Sequence, residues 1–215
     1  MKNKFIKIVA IVFSLAFFAS CSEEKPIPSE ITFFPTFEIE GGQYLLVQKG
    51  VAYTDTGVKA LAGDSELPLI TTGTVNTDQV GLYKLDYSAT NVDGFDGTSF
   101  RYVIVADNPD AIANADLSGS YTRDTNSAHV MTLTKVVDGF YQADDILPTN
   151  KINALIAHVS DTEVIIPRQS SRFGDIVADP TDVAGSGGAI VGGQDITLNT
   201  FIGCCGIFTR SFIKD

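Results

Sequence analysis

The sequence predicts an all-β protein, and three observations lead to this fold class. Apolar and polar residues alternate with a period of two in many short segments, and turns rich in Gly, Asp and Asn recur at intervals of roughly eight to twelve residues. The C-terminal half shows no 3.6-residue helical period. We therefore expect a β-sandwich over residues 31–106 and a second small β-sandwich or β-barrel domain over residues 117–215.

The strongest strand prediction falls on residues 82–89. Strict alternation of this kind is typical of a strand with one buried face. The face expected in the core carries Tyr83, Leu85, Tyr87 and Ala89. The other face carries Leu82, Lys84, Asp86 and Ser88. At the start of the domain, Phe33 and Phe34 precede Pro35 in a predicted edge strand. We expect these two phenylalanines in the core, with an exposed binding platform as the alternative.

A bend at residues 91–97 separates this strand from a second β-rich strand at residues 100–105. Two Asp-Gly pairs favour a hairpin turn there, because glycine tolerates a positive φ. Asn91, Asp93 and Asp96 also superficially resemble a calcium loop. The closing Glu and the flanking helices of an EF-hand are missing from the sequence, so we expect a simple turn and no metal site.

Residues 1–20 have the features of a targeting segment. Three lysines precede a largely apolar run at residues 8–19, and this run is shorter than the roughly 20 residues of a membrane-spanning helix. The tetrapeptide Phe18-Ala19-Ser20-Cys21 resembles the lipobox of bacterial lipoproteins, which implies that Cys21 is lipidated and becomes the mature N-terminus. Phe18 stands where Leu is usual, so an ordinary secretory peptide is the alternative.

Residues 21–30 are expected to form a linker between this anchor and the first domain. The acidic cluster Ser22-Glu23-Glu24 resembles the surface-export signal of lipoproteins in the Bacteroidota. A solvated linker is the alternative. The resemblance implies a lipid-anchored protein of the outer membrane that is exposed at the cell surface.

The chain is strongly acidic, with a formal net charge of -11. The targeting segment holds three Lys and no acids, so the mature chain has 12 basic and 26 acidic residues and a net charge of -14. Nucleic acid is therefore excluded as an expected partner, because phosphate contacts need clustered Lys and Arg.

Three ordered motifs carry a family resemblance. Residues 50–60 read G-x-x-Y-x-D-x-G-V-x-A, residues 81–91 read G-x-Y-x-L-x-Y-x-A-T-N, and residues 101–105 read R-Y-V-I-V. Together they are similar to the bacterial immunoglobulin-like domains of Bacteroidota surface lipoproteins, which also occur as accessory modules of crystal toxins. The resemblance implies an immunoglobulin-like β-sandwich that serves as a spacer or binding module. The spacing of Asp78, Gly81 and Tyr83 resembles the tyrosine corner of such domains.

A linker is expected at residues 107–116, with one short helical turn after Asn108-Pro109. The second domain follows, with a V-D-G-F-Y hairpin at residues 137–141 and an aromatic closing strand. Its order of motifs resembles the C-terminal all-β domain, of unknown function, that accompanies immunoglobulin-like domains in Bacteroidota lipoproteins. The glycine-rich segment at residues 185–193 is expected to be a flexible loop.

Catalysis is not expected, and neither is a cofactor. His129 and His158 lie in alternating strands, where a structural role is more common than general-base catalysis. Asp144 and Asp145 are adjacent, and such a pair after a strand is usually a turn rather than the two separated acids of a glycosidase. Serines are present, but no G-x-S-x-G motif occurs.

Cys204 and Cys205 are neighbours in the chain, and in a strand their side chains would point to opposite faces. Ordinary disulfides need well-separated backbones, so we expect two reduced thiols, at least one of them buried. A redox switch or an intermolecular bridge is the alternative.

The first functional hypothesis is a non-catalytic accessory or glycan-binding lipoprotein of the outer membrane. The candidate ligand-binding residues are the aromatics of the second domain, Tyr121, Phe140, Tyr141 and Phe173. A structural spacer or a protein-interaction module in an envelope complex is the alternative, with an outer-membrane protein as its partner. An aromatic-lined cleft would favour sugar, and a flat apolar patch would favour a protein.

Overall fold

The computed structural model describes residues 31–147 and 151–215, and these residues are almost entirely β-structure. Residues 33–215 form one compact unit. No sheet crosses residues 107–116, since every strand before this segment pairs within the N-terminal part and every strand after it pairs within the C-terminal part. The fold is all-β, as predicted, and the domain bounds drawn at this segment stay a prediction.

The N-terminal part is a sandwich of two sheets. Its strands are β1 (Thr36–Ile39), β2 (Tyr44–Gln48), β3 (Val58–Ala62), β4 (Ser65–Leu67), β5 (Ile70–Thr72), β6 (Gly81–Thr90) and β7 (Asp96–Ala106). One sheet has the order β1-β3-β4 and the other β2-β7-β6-β5, with β2 parallel to β7 and the remaining pairs antiparallel. The long β6–β7 hairpin confirms the strand prediction on either side of the 91–97 bend.

The faces of β6 are those that the alternation predicts. Leu85, Tyr87 and Ala89 are buried between the two sheets, whereas Lys84 and Asp86 are exposed. The Tyr83 hydroxyl donates to the backbone carbonyl of Gln79 at 2.9 Å, four residues upstream, which is the bond expected of a tyrosine corner.

A buried ionic cluster lies in the core of this sandwich. Arg101 of β7 is 1% exposed and shares the core-facing side of its strand with Val103 and Val105. Its guanidinium forms an ion pair with Asp55, which also accepts hydrogen bonds from the hydroxyls of Tyr53 and Tyr87, both at 3.0 Å. Asp55 therefore anchors a core arginine.

The remaining donors of Arg101 reach the backbone. Its Nε donates to the Gly42 carbonyl at 3.1 Å, and its two terminal nitrogens donate to the carbonyls of Thr56 and Glu40. These bonds tie β7 to the turns that precede β2 and β3. Burial raises the pKa of Tyr87, and its hydrogen bond to Asp55 raises it further.

The bend at residues 91–97 is a hairpin turn organised by Asn91. The side-chain oxygen of Asn91 accepts the backbone N–H groups of Asp93 and Phe95 at 3.1 and 2.8 Å, and its amide donates to the Phe33 carbonyl at 2.8 Å. The Asp96 carboxylate accepts from the Thr90 hydroxyl at 2.6 Å. Within the described residues, no group of three or more His, Cys, Asp or Glu is placed to hold a metal ion.

Phe33 and Phe34 are exposed, so the expectation that both lie in the core is wrong. They are 54% and 60% exposed. The backbone before β1 runs along the outside of the sandwich, where the Phe34 ring contacts the Phe95 ring at 5.0 Å between centroids. Phe33 lies over Gly63, where a side chain would collide with the ring.

A six-residue helix, α1 (Pro109–Asn114), follows the sandwich. Asn108 is its N-cap and accepts the Ala111 N–H at 3.1 Å, while Pro109 fills the first turn, where a backbone donor is not needed. The short helical turn predicted after Asn108-Pro109 is thus present.

The C-terminal part is a closed, barrel-like sheet. Its strands are β8 (Gly119–Arg123), β9 (Asn126–Val137), β10 (Phe140–Asp144), β11 (Ala154–Ser160), β12 (Glu163–Ser171), β13 (Gly174–Ala178), β14 (Gly187–Val191), β15 (Asp195–Ile202) and β16 (Gly206–Lys214). Eight strands close in the order β8-β9-β10-β11-β12-β13-β15-β16, and β16 returns to pair with β8. Of the two predicted alternatives for this domain, a β-sandwich or a β-barrel, the barrel is therefore correct.

The ninth strand, β14, lies where a flexible glycine-rich loop was expected. It pairs with one end of β12 and of β15, and β13 does not extend to that end. Gly188 permits this pairing, because a Cβ there would come within 2.6 Å of the Val164 carbonyl oxygen. The prediction of a loop is wrong for residues 187–191, since glycine here serves a close backbone approach.

The barrel wall packs against the sandwich. On β11, Ala154 and Ile156 point into the barrel core, while Leu155, Ala157 and Val159 point outward and join a second apolar cluster. This cluster includes Tyr102 and Ile104 of β7, Ile112 of α1 and Phe140 of β10. Strand β11 is buried on both faces because one faces the barrel interior and the other the sandwich.

Candidate functional site

The four aromatic residues predicted to bind a ligand are mostly core residues. Tyr121, Phe140 and Tyr141 have 0% exposure, so a ligand cannot reach them and the expectation of an aromatic platform there is corrected. Tyr121 and Tyr141 point into the barrel core, and Phe140 fills the junction with the sandwich, 4.9 Å from the Tyr44 ring. Phe173 alone is half-buried, packed against the edge of the barrel core.

Both buried tyrosines hold the start of the second sheet. The Tyr121 hydroxyl donates to the Leu117 carbonyl at 2.7 Å, and the Tyr141 hydroxyl donates to the Ala115 carbonyl at 2.8 Å. Burial raises the pKa of both phenols. Their polar groups are thus satisfied by backbone, which is a structural role.

Among the cavities between the sandwich and the barrel wall, two have a volume of about 310 Å³ each. Lys84, Arg168 and Asp182 line one of them, and Glu163 and Asp179 line the other. Burial raises the pKa of the Glu163 carboxyl, and the charge of Asp179 raises it further. Arg168 is already paired within the chain, because its guanidinium binds Asp182 and Asp175 at 2.6 and 3.0 Å.

One end of the barrel gathers several features that a ligand can reach. We call this end the rim, formed by the turns that follow β8, β12 and β15 and by residues 145–147, which follow β10. The β12–β13 and β15–β16 turns are bonded to each other, since the Cys204 N–H donates to the Phe173 carbonyl at 3.0 Å and the Gly203 N–H to the Asp175 carbonyl at 2.8 Å.

Cys204 and Cys205 form a disulfide at the tip of the β15–β16 turn. Both residues are exposed. The expectation of two reduced thiols, at least one of them buried, is therefore wrong. The physical reason is that the pair sits in a tight turn rather than in a strand, so the two side chains do not point to opposite faces of the sheet.

Beside the disulfide, β16 contributes an aromatic and a cationic side chain to the inner side of the rim. Phe208 pairs with Thr200 and Arg210 pairs with Leu198, and these β15 partners are buried in the barrel. Cross-strand partners share a face, so Phe208 and Arg210 belong to the inner face. Phe208 is 38% exposed, and the Arg210 guanidinium lies 5.2 Å from its ring centroid.

Phe173 has a similar cationic neighbour. The Arg172 guanidinium lies 5.3 Å from the centre of the Phe173 ring. The rim thus presents two aromatic rings, each with an adjacent guanidinium, beside an exposed disulfide.

The two histidines are buried, each 2% exposed. His129 donates from Nε2 to the Asp145 carbonyl oxygen at 2.7 Å and packs edge-on against Phe212, with 5.3 Å between ring centroids. Burial lowers the pKa of His158. Asp144 ends β10 and is exposed, and Asp145 follows it with a positive φ of 62°, as expected for a turn.

Cys21, the predicted lipidation site, lies outside the described residues. Across the residues that the structure does describe, no helix combines the length and the apolar character needed to cross a bilayer.

A family described as a bacterial surface protein with an Ig-like domain matches residues 37–105. The immunoglobulin-like resemblance of the sandwich is thus confirmed. A crystal structure of a lipoprotein from Bacteroides thetaiotaomicron has 20% sequence identity and a TM-score of 0.35, and the similarity covers 85% of this chain and 100% of that one. No curated protein matches this sequence.

The rim residues were missed by sequence reasoning, although a signal for them exists. Arg210 alternates with Phe208 and Phe212, and Arg123 alternates with Tyr121, so each arginine occupies a position where the strand period predicts a core residue. A charge at such a position needs a partner. Arg101 shows the same pattern in the sandwich.

Proposed function

We propose that this chain is a non-catalytic surface lipoprotein, lipidated at Cys21 in the outer membrane, which binds a glycan at the rim of its barrel. The family match of residues 37–105 supports a place at the cell surface. The observation that carries the binding proposal is the group formed at one end of the barrel by the exposed Phe208, the half-buried Phe173 and the exposed Cys204–Cys205 disulfide.

A sugar ring has an apolar face and a polar edge. The apolar face packs on aromatic rings, and the edge hydroxyls accept hydrogen bonds from guanidinium groups. Phe208 with Arg210 and Phe173 with Arg172 supply both kinds of contact at the rim. The disulfide adds an apolar surface that the turn holds in place through the Cys204–Phe173 backbone bond.

A glycan array probed with the mature chain, residues 22–215, tests this proposal. We expect reproducible binding to a subset of glycans, weakened about tenfold by Phe208→Ser through the loss of one stacking contact of roughly 1–1.5 kcal/mol. Phe95→Ser is the matched control, since Phe95 is similarly exposed at 45% but lies on the sandwich.

Two outcomes would contradict glycan binding at the rim. One is silence of the wild-type chain across the array, and the other is equal loss of binding in both phenylalanine variants. A further variant replaces both cysteines by serine. Weaker glycan binding by this variant, with an unchanged melting temperature, would support contact between the disulfide and the sugar.

A protein-interaction module is the second candidate, favoured by a separate apolar patch on the sandwich. This patch consists of Phe33, Phe34, Val92 and Phe95, and Val92 is 98% exposed. An envelope protein that buries it would be captured by crosslinking in cells to the wild-type chain. The Phe34→Ser variant should lose that crosslink, and retention would argue against this candidate.

A further inference from the structure

Two arginines at the rim have no acceptor for their buried N–H groups. The nitrogens concerned are Nε of Arg123 and both Nε and Nη1 of Arg210, each buried and without a hydrogen-bond partner among the described residues. Arg101 and Arg168 differ because both have acceptors. Arg101 binds Asp55 and three backbone carbonyls, and Arg168 binds two aspartates.

The sheet register places the two arginines side by side. Arg123, the last residue of β8, pairs with Phe212 of β16, and Arg210 lies two residues before Phe212 on the same strand. Both therefore belong to the inner face that carries Phe212, whose side chain is fully buried. Each arginine as a whole is half-buried, so part of its side chain borders solvent beside the buried nitrogens.

Two like charges held together on a partly buried surface are unfavourable unless an anion joins them. The ion pairs formed by the described residues involve neither arginine. Burial lowers the pKa of Arg210, and the neighbouring charge of Arg123 lowers it further. Within the described residues, the two arginines thus form a local positive site without an ion-pair partner, on a protein whose net charge is -11.

We propose that Arg123 and Arg210 bind the carboxylate or sulfate group of an acidic glycan at the rim. Guanidinium groups bind such oxyanions through paired N–H donors in a fixed planar geometry. Phe208, against which Arg210 packs, supplies the adjacent surface for the sugar ring. The inference rests on the proposed glycan function, because the sugar is the carrier of the anionic group.

The test compares an acidic oligosaccharide with a neutral one of the same length, using an oligogalacturonate and its methyl-esterified form. Binding to the mature chain is measured by calorimetry, with sodium glucuronate and inorganic sulfate as small probes. We expect Arg210→Gln and Arg123→Gln each to weaken oligogalacturonate binding about tenfold or more, as for one charge-assisted hydrogen bond. Arg168→Gln, an exposed arginine of the same barrel, is the control and should bind as the wild type does.

Stability without ligand gives an independent readout. Removing a buried charge that has no partner should leave the melting temperature of Arg210→Gln unchanged or raise it, whereas a structural arginine would lower it. Asp145 also has a buried carboxylate oxygen without a partner. If Asp145→Asn and Arg210→Gln lower the melting temperature equally, Asp145 is the counter-charge in solution and the inference is overturned.

The remaining outcomes separate the inference from the function on which it rests. Arginine-dependent binding of glucuronate or sulfate with no oligosaccharide binding would support the anion site and reject the glycan. Equal binding of both oligosaccharides that is insensitive to the arginine substitutions would support a glycan function and overturn the anion site.

Discussion

The buried pair of Arg101 and Asp55 is the most consequential polar contact in the sandwich, and Asp55→Asn tests it directly. Asparagine has nearly the same shape as aspartate, but it has one side-chain oxygen, whereas Tyr53 and Tyr87 donate to different oxygens of Asp55. The substitution therefore removes the negative charge and one of the two acceptor oxygens. The guanidinium of Arg101, whose side chain is 2% exposed, would then stay buried without a counter-charge.

Removing one partner of a buried ion pair typically costs about 3–5 kcal/mol. The Asp55 side chain is 21% exposed, so solvent screens part of the interaction and we expect roughly 2–3 kcal/mol. A chain of this size loses about 2–4 °C of melting temperature for each kcal/mol. The variant should therefore melt about 4–12 °C below the wild type.

The assay is thermal unfolding followed by circular dichroism, repeated in urea to obtain the free energy of unfolding. Asp86→Asn is the control, because Asp86 pairs with Lys84 at 2.6 Å on the surface, with side chains 52% and 44% exposed. Exposed pairs of this kind contribute at most about 1 kcal/mol. If the two variants lose the same small amount of stability, the argument from burial is refuted.

Four further predictions concern other parts of the chain. Leu85→Asp should unfold the sandwich, because an unpaired charge in the core costs several kcal/mol, and a wild-type melting curve would contradict the assigned strand faces. Acidification should destabilise the protein below about pH 6.5. Burial lowers the pKa of His158, so the unfolded chain takes up the proton before the folded chain does. In urea titrations, His158→Leu should lose less free energy of unfolding on acidification than the wild type. Alkaline pH should destabilise the protein between about 10 and 12, because burial raises the pKa of Tyr102 to about 12 and the unfolded chain therefore loses this proton first. Tyr102→Phe should weaken this dependence without abolishing it, because burial also raises the pKa values of Tyr87, Tyr121 and Tyr141. Cys21→Ala should release the protein from the membrane fraction or leave it unprocessed, and unchanged partition into detergent would reject the lipid anchor.

The strands and their turns could be predicted because the relevant interactions are local. The period of two in residues 82–89 identifies the side of β6 that faces the core, and Leu85 and Tyr87 are buried as expected. Asn108-Pro109 predicted the start of α1 from capping alone. These signals depend on neighbouring residues along the chain, so they are visible without the fold.

The burial of the candidate aromatics could not be predicted in the same way. Phe140 and Tyr141 are consecutive, so they point to opposite faces of β10. An isolated sheet would expose one of them. Both are buried because Tyr141 faces the barrel interior while Phe140 faces the sandwich.

The residues of the rim could not be predicted from the sequence for a related reason. Arg123 and Arg210 are 87 positions apart in sequence, and closure of the barrel by pairing of β8 with β16 brings them together. The disulfide of Cys204 and Cys205 was also missed, since the expectation that the two side chains point to opposite faces applies to a strand, and the structure has a turn there.

The sequence by itself determined the all-β class, the position of most strands and the immunoglobulin-like resemblance. The tertiary structure alone decided which side of each strand is covered, that the second sheet closes, and which charged groups lack a partner. The physical reason is that alternation along a strand tells which residues share a face. What packs against that face depends on pairing between distant strands, and this pairing has no counterpart in the local pattern.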